Sequence, residues 1–230
     1  MKTSANNFNL AATIESGQIF RWEKIGEWYF VVSGSTITKI RQIGNEIEYY
    51  CSHEAFDVEN FIGLKTDYSK ILYELNSKEM LRAPISNYFG LRILNQEPWE
   101  CTASFICSQM SNIKRIRKNL NSIAENYGEK ISFEGYESYS FPAAEEIALD
   151  ASKLKLCNLG YREKYIAETA KAIANGFDFE SARNNSYENA KAQLMQLPGI
   201  GGKVADCILL FSLGFMEAFP VDVWMIRAMK

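Results

Sequence analysis

Two periodicities divide the chain. Up to about residue 50, apolar and polar positions come in short β-branched and aromatic runs: Gln18–Trp22, Trp28–Val32, Thr36–Arg41 and Glu46–Tyr50. Gly26, Ser33-Gly34 and Gly44-Asn45 break them. Such runs fit strands, and breaks this short join only antiparallel neighbours, so a meander is predicted. Over residues 67–81 the spacing changes, with Ile71, Leu72 and Leu75 falling on one helical face. Pro98 suits the first turn of a helix, and from there the pattern predicts helices over 98–108, 112–127, 142–150, 161–175, 186–196, 202–213 and 220–229. The expected fold class is α+β, with an antiparallel sheet domain over residues 1–94 and an all-α domain over residues 95–230. The last helical pattern is still running at Lys230.

Composition narrows the chemistry. With 230 residues the chain can bury a substantial core, and no apolar run reaches membrane-spanning length. The polar start, Met1 to Asn7, lacks the apolar centre of a secretory signal, so an intracellular protein without a membrane partner is expected. The five cysteines, 51, 101, 107, 157 and 207, are scattered and form no Cys-x-x-Cys pair. They argue against a disulfide framework, a zinc site or an iron–sulfur cluster. A single histidine, His53, leaves no His-based metal cage and no Ser-His-Asp apparatus. Chemistry must then come from Lys, Asp, Glu, Tyr or Cys.

Net charge is −3, but its distribution is uneven. Lys114, Arg115, Arg117 and Lys118 cluster without an intervening acid, and Arg162, Lys164 and Lys171 form a second, mixed group. Local positive potential is what a phosphate track requires, so nucleic acid remains an allowed partner.

The segment Leu197-Pro198-Gly199-Ile200-Gly201-Gly202-Lys203-Val204 joins two apolar helical patterns through glycines. Gly199, Gly201 and Gly202 allow positive φ and close approach of the backbone, and the helix start that follows offers free N–H groups to a phosphate. An ordinary turn between core helices is the plainer alternative. Lys203 stands at the positive end of that helix, where the dipole favours a neutral, nucleophilic amine. A phosphate-contacting or solvated lysine is the alternative there. Asp222, set among Pro220, Val221 and Val223, begins another helix. It reads either as an N-cap or as the partner of a developing cation. Asp206, three residues after Lys203, is read as a surface charge without a catalytic role.

With these residues goes a resemblance. Ser16-Gly17-Gln18-Ile19-Phe20-Arg21-Trp22, Phe105-Ile106-Cys107-Ser108, Leu159-Gly160-Tyr161-Arg162, the hairpin block and Pro220-Val221-Asp222-Val223 occur in an order similar to bacterial members of the 8-oxoguanine DNA glycosylase family. That family lies within the helix-hairpin-helix DNA glycosylase superfamily, and the resemblance covers nearly the whole chain. It implies a bifunctional enzyme of base-excision repair, a DNA N-glycosylase with abasic-site lyase activity. Its partner would be double-stranded DNA holding 8-oxoguanine or an abasic site. The enzyme would be a monomer in the cytoplasm, at the nucleoid, and would need no cofactor.

The resemblance also assigns roles. Lys203 would attack C1′ and Asp222 would stabilise the sugar cation. The carbonyl of Gly17 would accept the N7–H of the oxidised base, where normal guanine offers only an acceptor. Cys207 would pack on a face of the flipped base. Tyr161 would wedge into the stack, with Arg115 and Arg162 hydrogen-bonding the base left opposite. Backbone groups of Gly199, Gly201 and Val204 would hold phosphates, and carbonyls of Met195, Leu197 and Ile200 would hold a structural cation, a hard ion on oxygen ligands. Met110 departs from the family's asparagine-rich run, which bears on selectivity for the opposite base. A further helix, supplying an aromatic and a glutamine to the pocket, would lie beyond Lys230. The competing readings are a monofunctional glycosylase for other damaged bases, and a helix-hairpin-helix protein that binds DNA without turnover.

Overall fold

The computed structural model describes residues 1–228, without the side chains of Val223, Trp224 and Ala228. Five strands form one antiparallel sheet: β1 (Lys2–Ser4), β2 (Trp22–Ile25), β3 (Trp28–Ser33), β4 (Thr36–Ile43) and β5 (Glu46–Cys51), in the order β1-β5-β4-β3-β2. The centre is the expected meander, with Tyr29 opposite Ile40 and Ile40 opposite Tyr49. Those residues and Val31 and Ile47 face one core, closed by α1 (Leu10–Ile14), α2 (Val58–Phe61) and Leu94. α3 (Tyr68–Asn76) and α4 (Arg82–Asn87), joined by a short 3₁₀ turn, follow.

The first expected strand is misplaced. Pairing begins at Trp22, opposite Val31, and residues 18–20 lie outside the sheet. Gln18 there turns its amide into hydrogen bonds with Arg92 and Leu94 instead of a ladder. A buried amide with two backbone partners on a distant segment outcompetes the strand preference of the neighbouring Ile19 and Phe20.

The helical part starts with α5 (Pro98–Cys107), capped by Glu97 through the N–H groups of Trp99 and Glu100. Every residue from Trp99 to Cys107 is buried, so this is a central helix, apolar or internally satisfied on all sides. α6 (Ile113–Tyr127) is amphipathic instead. It buries Ile116, Leu120 and Ile123 and leaves Lys114, Arg115 and Lys118 in solvent. A second hairpin, β6 (Lys130–Phe133) and β7 (Tyr136–Tyr139), was not among the expected elements, although Ile131, Phe133, Tyr136 and Tyr139 flank a Glu134-Gly135 turn. It covers the far face of the sheet, with Tyr136 stacked on Phe30 at 4.8 Å between ring centroids. Beyond it come α7 (Ala144–Leu149), a 3₁₀ segment over Ala151–Cys157, α8 (Arg162–Ala174), α9 (Phe179–Arg183), α10 (Tyr187–Leu194), α11 (Gly202–Ile208) and α12 (Val223–Ala228).

The sheet and the helices are joined by a buried ion pair. Arg21 Nη1 lies 3.1 Å from Glu100 Oε1, and Glu100 also accepts the N–H of Gly34 at 2.6 Å. Burial raises the Glu100 carboxyl and the Arg21 guanidinium opposes that shift. Removing either partner would strand a charge in the interior. α11 runs into a π-helical turn, Leu209–Leu213, which closes at Gly214. The carbonyl of Phe211 in that turn accepts the N–H of Gln96 at 2.8 Å.

Candidate active site and nucleic-acid interface

The turn between α10 and α11 is a true hairpin, but only one of its glycines is conformationally required. Gly199 has φ +78°, and a Cβ there would meet the Tyr165 ring at 2.5 Å. Gly201 and Gly202 keep negative or extended φ, so of the three glycines that allow positive φ only Gly199 uses it. The space beside Gly201 is open, with nothing within 4 Å of where a β-carbon would stand. What Gly201 offers is access: it is exposed at the N-cap of α11 and no side chain caps the helix, so the first-turn N–H groups are open to an approaching oxyanion on that side. Val204 is buried, so only its backbone could serve.

The hairpin is braced from its side. Lys191 on α10 reaches Asp206 on α11 at 2.8 Å, and the Tyr187 hydroxyl donates to the same carboxylate at 2.8 Å. Asp206 is therefore a buried strut rather than the surface charge expected of it. Its bonds to Tyr187 and Lys191 place it on the side of α11 turned toward α10.

Lys203 occupies the first turn of α11, half-buried, with Nζ 5.2 Å from the centroid of Phe105. Phe105 in turn stacks on Phe211 at 5.4 Å and meets Phe20 edge-on at 6.0 Å. The amine thus sits over an aromatic floor that presents its negative face to a cation. Phe105 was legible only as part of a motif, and its place under the lysine comes from the packing of α5 against α11.

Cys207 is one turn along α11 from Lys203 and is buried. Burial pushes its thiol up to about 11; Lys203 pulls the other way, while Asp206 and Asp222 add to the rise. Lys203 and Asp222 therefore both lie within electrostatic reach of one sulfur. Cys107 is pushed up to about 12 and Cys101 well above its ordinary value, each chiefly by burial. All three thiols stay protonated at neutral pH, which makes each a poor nucleophile.

Asp222 accepts the N–H of Met225 at 2.9 Å and caps α12. Gly17 has φ +87°, outside any strand, and its β-position would face Ile113 Cδ1 at 3.9 Å. The N-terminal motif and the start of α6 therefore share one wall.

The remaining expected residues separate into two groups. Arg115 and Tyr161 are exposed, and Tyr161 is edge-on to Tyr165 beneath it. Arg162, only 2 % exposed, is not available at the surface. Its Nε donates to the carbonyl of Gln109 at 2.7 Å, Nη2 to Met110 at 2.9 Å and Nη1 to Leu159 at 3.1 Å. The guanidinium therefore holds the loop after α5, where the resemblance implied a contact with the opposite base. Gln109 itself donates to the carbonyl of Gly199 at 2.7 Å, tying that loop to the hairpin. Arg117 is likewise taken, lying 4.5 Å over the Trp22 ring, so the basic cluster presents Lys114, Arg115 and Lys118. Among the described residues no group of three or more His, Cys, Asp or Glu side chains could hold a metal, and no helix is long and apolar enough to cross a membrane.

The helical part thus carries a glycine hairpin, an amine above an aromatic floor and a carboxylate that caps α12. Residues 1–102 match the family described as 8-oxoguanine DNA glycosylase, N-terminal domain, and residues 103–230 match the HhH-GPD superfamily of base excision DNA repair proteins. The chain belongs to the 8-oxoguanine DNA glycosylase family of that superfamily. The N-glycosylase/DNA lyase of Saccharomyces cerevisiae is 34 % identical over 96 % of this chain and 67 % of that protein. The Arabidopsis thaliana N-glycosylase/DNA lyase OGG1 is 30 % identical over 98 % of this chain and 67 % of that protein. The chain thus spans about two thirds of the length of these relatives. Among solved structures, the Clostridium acetobutylicum 8-oxoguanine glycosylase/lyase bound to double-stranded DNA with cytosine opposite 8-oxoG superposes with a TM-score of 0.91. It is 30 % identical and covers all of this chain and 84 % of that one. A 3-methyladenine glycosylase of Archaeoglobus fulgidus shares the fold at a TM-score of 0.77 and 18 % identity.

Proposed function

We propose that the chain excises 8-oxoguanine from duplex DNA and then cleaves the strand at the abasic site, with Lys203 as the nucleophile. The observation that carries this reading is the placement of Lys203 over Phe105 at the head of α11, just past the glycine hairpin. The fold alone does not choose the lesion, since it extends to an enzyme for methylated adenine.

The base cannot be reached in the stack and is flipped out. The carbonyl of Gly17 accepts its N7–H, a contact that normal guanine cannot make. The Lys203 amine bonds to C1′ as the glycosidic bond breaks, and the departing base takes a proton. Ring opening gives an iminium ion. Loss of a C2′ proton then expels the 3′ phosphate, and water releases the amine. Asp222 stabilises the positive charge that develops at the sugar, while Cys207, neutral and polarizable, packs on the flipped base.

Gly199, Gly201 and Val204 contribute backbone contacts to phosphates, Tyr161 fills the vacated stack, and Arg115 reads the base opposite. Arg162 acts behind them, through the loop it holds. The carbonyls of Met195, Leu197 and Ile200 suit a hard cation; that of Leu197 accepts the N–H of Ile200 at 3.2 Å and keeps its second lone pair. This reading divides the chain at residues 94–95 and places it, as a monomer, on DNA in the cytoplasm.

The test is borohydride reduction in the presence of a duplex holding 8-oxoguanine. The wild type should be trapped covalently and Lys203→Gln should not. Trapping of equal yield in the variant removes Lys203 from the mechanism. Release of methylated purines without trapping would support a monofunctional glycosylase, and binding to abasic DNA without either activity would support a scaffold.

A further inference from the structure

The motif that begins at Ser16 holds more than the damage-reading glycine. Gln18, 5 % exposed, makes no ladder contact and uses both ends of its amide. Nε2 donates to the carbonyl of Arg92 at 2.9 Å and to Ser16 Oγ at 3.0 Å, while Oε1 accepts the N–H of Leu94 at 2.9 Å. Its own carbonyl accepts Nε2 of Gln96, 6 % exposed, at 2.9 Å. On the other side of Gly17, Ser16 Oγ donates to the carbonyl of Thr13 at 2.8 Å, and Thr13 Oγ1 accepts the N–H of Arg92 at 3.1 Å. Gly17 is thereby clamped between two residues that are both stitched, directly or through Thr13, to the segment 92–96.

That segment reaches the other half of the pocket. The N–H of Gln96 donates to the carbonyl of Phe211, and the Phe211 ring stacks on Phe105, the floor beneath Lys203. A buried path therefore runs Gly17, Gln18, Gln96, Phe211, Phe105, Lys203. Each polar step is a hydrogen bond removed from water, where an unmet partner is costly and geometry is held firmly.

We propose that Gln18 and Gln96 are positioning residues for lesion discrimination, setting the carbonyl of Gly17 at a fixed distance from the Lys203 amine so that only a base bearing N7–H is presented for attack. The inference rests on the functional reading above. It separates the two activities: cleavage at an abasic site needs Lys203 but no base in the pocket, so it does not depend on where Gly17 points.

The experiment uses the full chain with Gln18→Met and Gln96→Met, in single turnover on three duplexes holding 8-oxoguanine, guanine or a preformed abasic site opposite cytosine. Gln96→Met keeps every side-chain bond of Gln18 and breaks only the bridge, so it serves if Gln18→Met fails to fold; melting curves establish which variants are folded. The expected result is a fall of ~10-fold or more in 8-oxoguanine excision, on the scale of one unmet buried hydrogen bond, with abasic-site cleavage within about twofold of wild type. The ratio of 8-oxoguanine to guanine excision should fall as well. If excision and abasic-site cleavage decline together, or if neither changes, the bridge has no positioning role. Absence of abasic-site cleavage in the wild type would instead undo the functional reading itself.

Discussion

Asp222 accepts the backbone N–H of Met225 through Oδ1 at 2.9 Å, so the carboxylate assigned to the sugar cation is also the N-cap of α12. One side chain carries two duties that a single alanine variant would confound. Asparagine caps a helix about as well as aspartate but carries no charge. Asp222→Asn should therefore keep the melting temperature and the affinity for abasic DNA close to wild type while excision falls by ~100-fold or more, as for other losses of transition-state electrostatics. Asp222→Ala should add a stability loss of about 1 kcal/mol for the missing cap. Denaturant melts beside single-turnover excision distinguish the two. If Asp222→Asn loses affinity and leaves the excision rate intact, the residue is a cap alone.

The buried thiols predict how stability responds to alkali. Cys207 is raised from 9.0 to about 11 and Cys107 from 9.0 to about 12. In the unfolded chain these groups ionise near their ordinary value, and in the folded protein they stay protonated. Above pH 9 the unfolded state has therefore released protons that the folded state still holds, so stability falls as pH rises from 9 toward 11 or 12. Each group contributes at most ~1.4 kcal/mol per pH unit in that window. Urea titrations at several alkaline pH values should show this decline, and Cys107→Ala should be less stable at neutral pH but have a shallower slope. An unchanged slope would mean that the Cys107 thiol titrates near its ordinary value.

Much of this architecture was legible in the residues. The meander came from β-branched runs between glycine breaks, and helices such as α6 and α8 from apolar spacing, within a residue or two of their ends. What escaped was set by tertiary partners. The β6–β7 hairpin, two four-residue strands set between helices, is stabilised by covering Phe30 and Val32. Gln18 left the sheet because a distant segment offered its amide two backbone partners. In the site, Lys203, Asp222 and Gly17 could be singled out from local pattern and resemblance, but the aromatic floor under Lys203 depends on α5 crossing α11. The part Arg162 plays in the loop after α5 was hidden for the same reason: its donors go to three backbone carbonyls that only the fold brings together.

Gly199 offers a test of the hairpin that does not touch chemistry. Its φ of +78° is strained for any L-residue, and a β-carbon would lie 2.5 Å from Tyr165 Cγ. Gly199→Ala should cost ~1–3 kcal/mol in a denaturant titration and weaken binding to undamaged duplex. Combining it with Tyr165→Ala should remove the ring from the clash but leave the residue-165 β-carbon 2.7 Å away and the backbone strain in place, so recovery should be partial. Full recovery would show that packing against Tyr165, rather than backbone conformation, requires glycine at this position.

Met110 lies at the tip of the loop that Arg162 holds, with φ +46° and 89 % of its surface exposed. A long apolar side chain gains nothing from that exposure, and the left-handed backbone disfavours it. Asparagine tolerates the conformation. Because the carbonyls of Gln109 and Met110 are fixed by Arg162, the turn should survive replacement. Met110→Asn is expected to stabilise the fold by up to about 1 kcal/mol, read as a shift in denaturant midpoint. It should also raise the preference for cytosine opposite the lesion, since an amide can hydrogen-bond a base edge and a thioether cannot do so effectively. Single-turnover excision of 8-oxoguanine opposite each of the four bases measures the second effect. An unchanged ratio across the four would place opposite-base selection elsewhere, with Arg115 the next residue to vary.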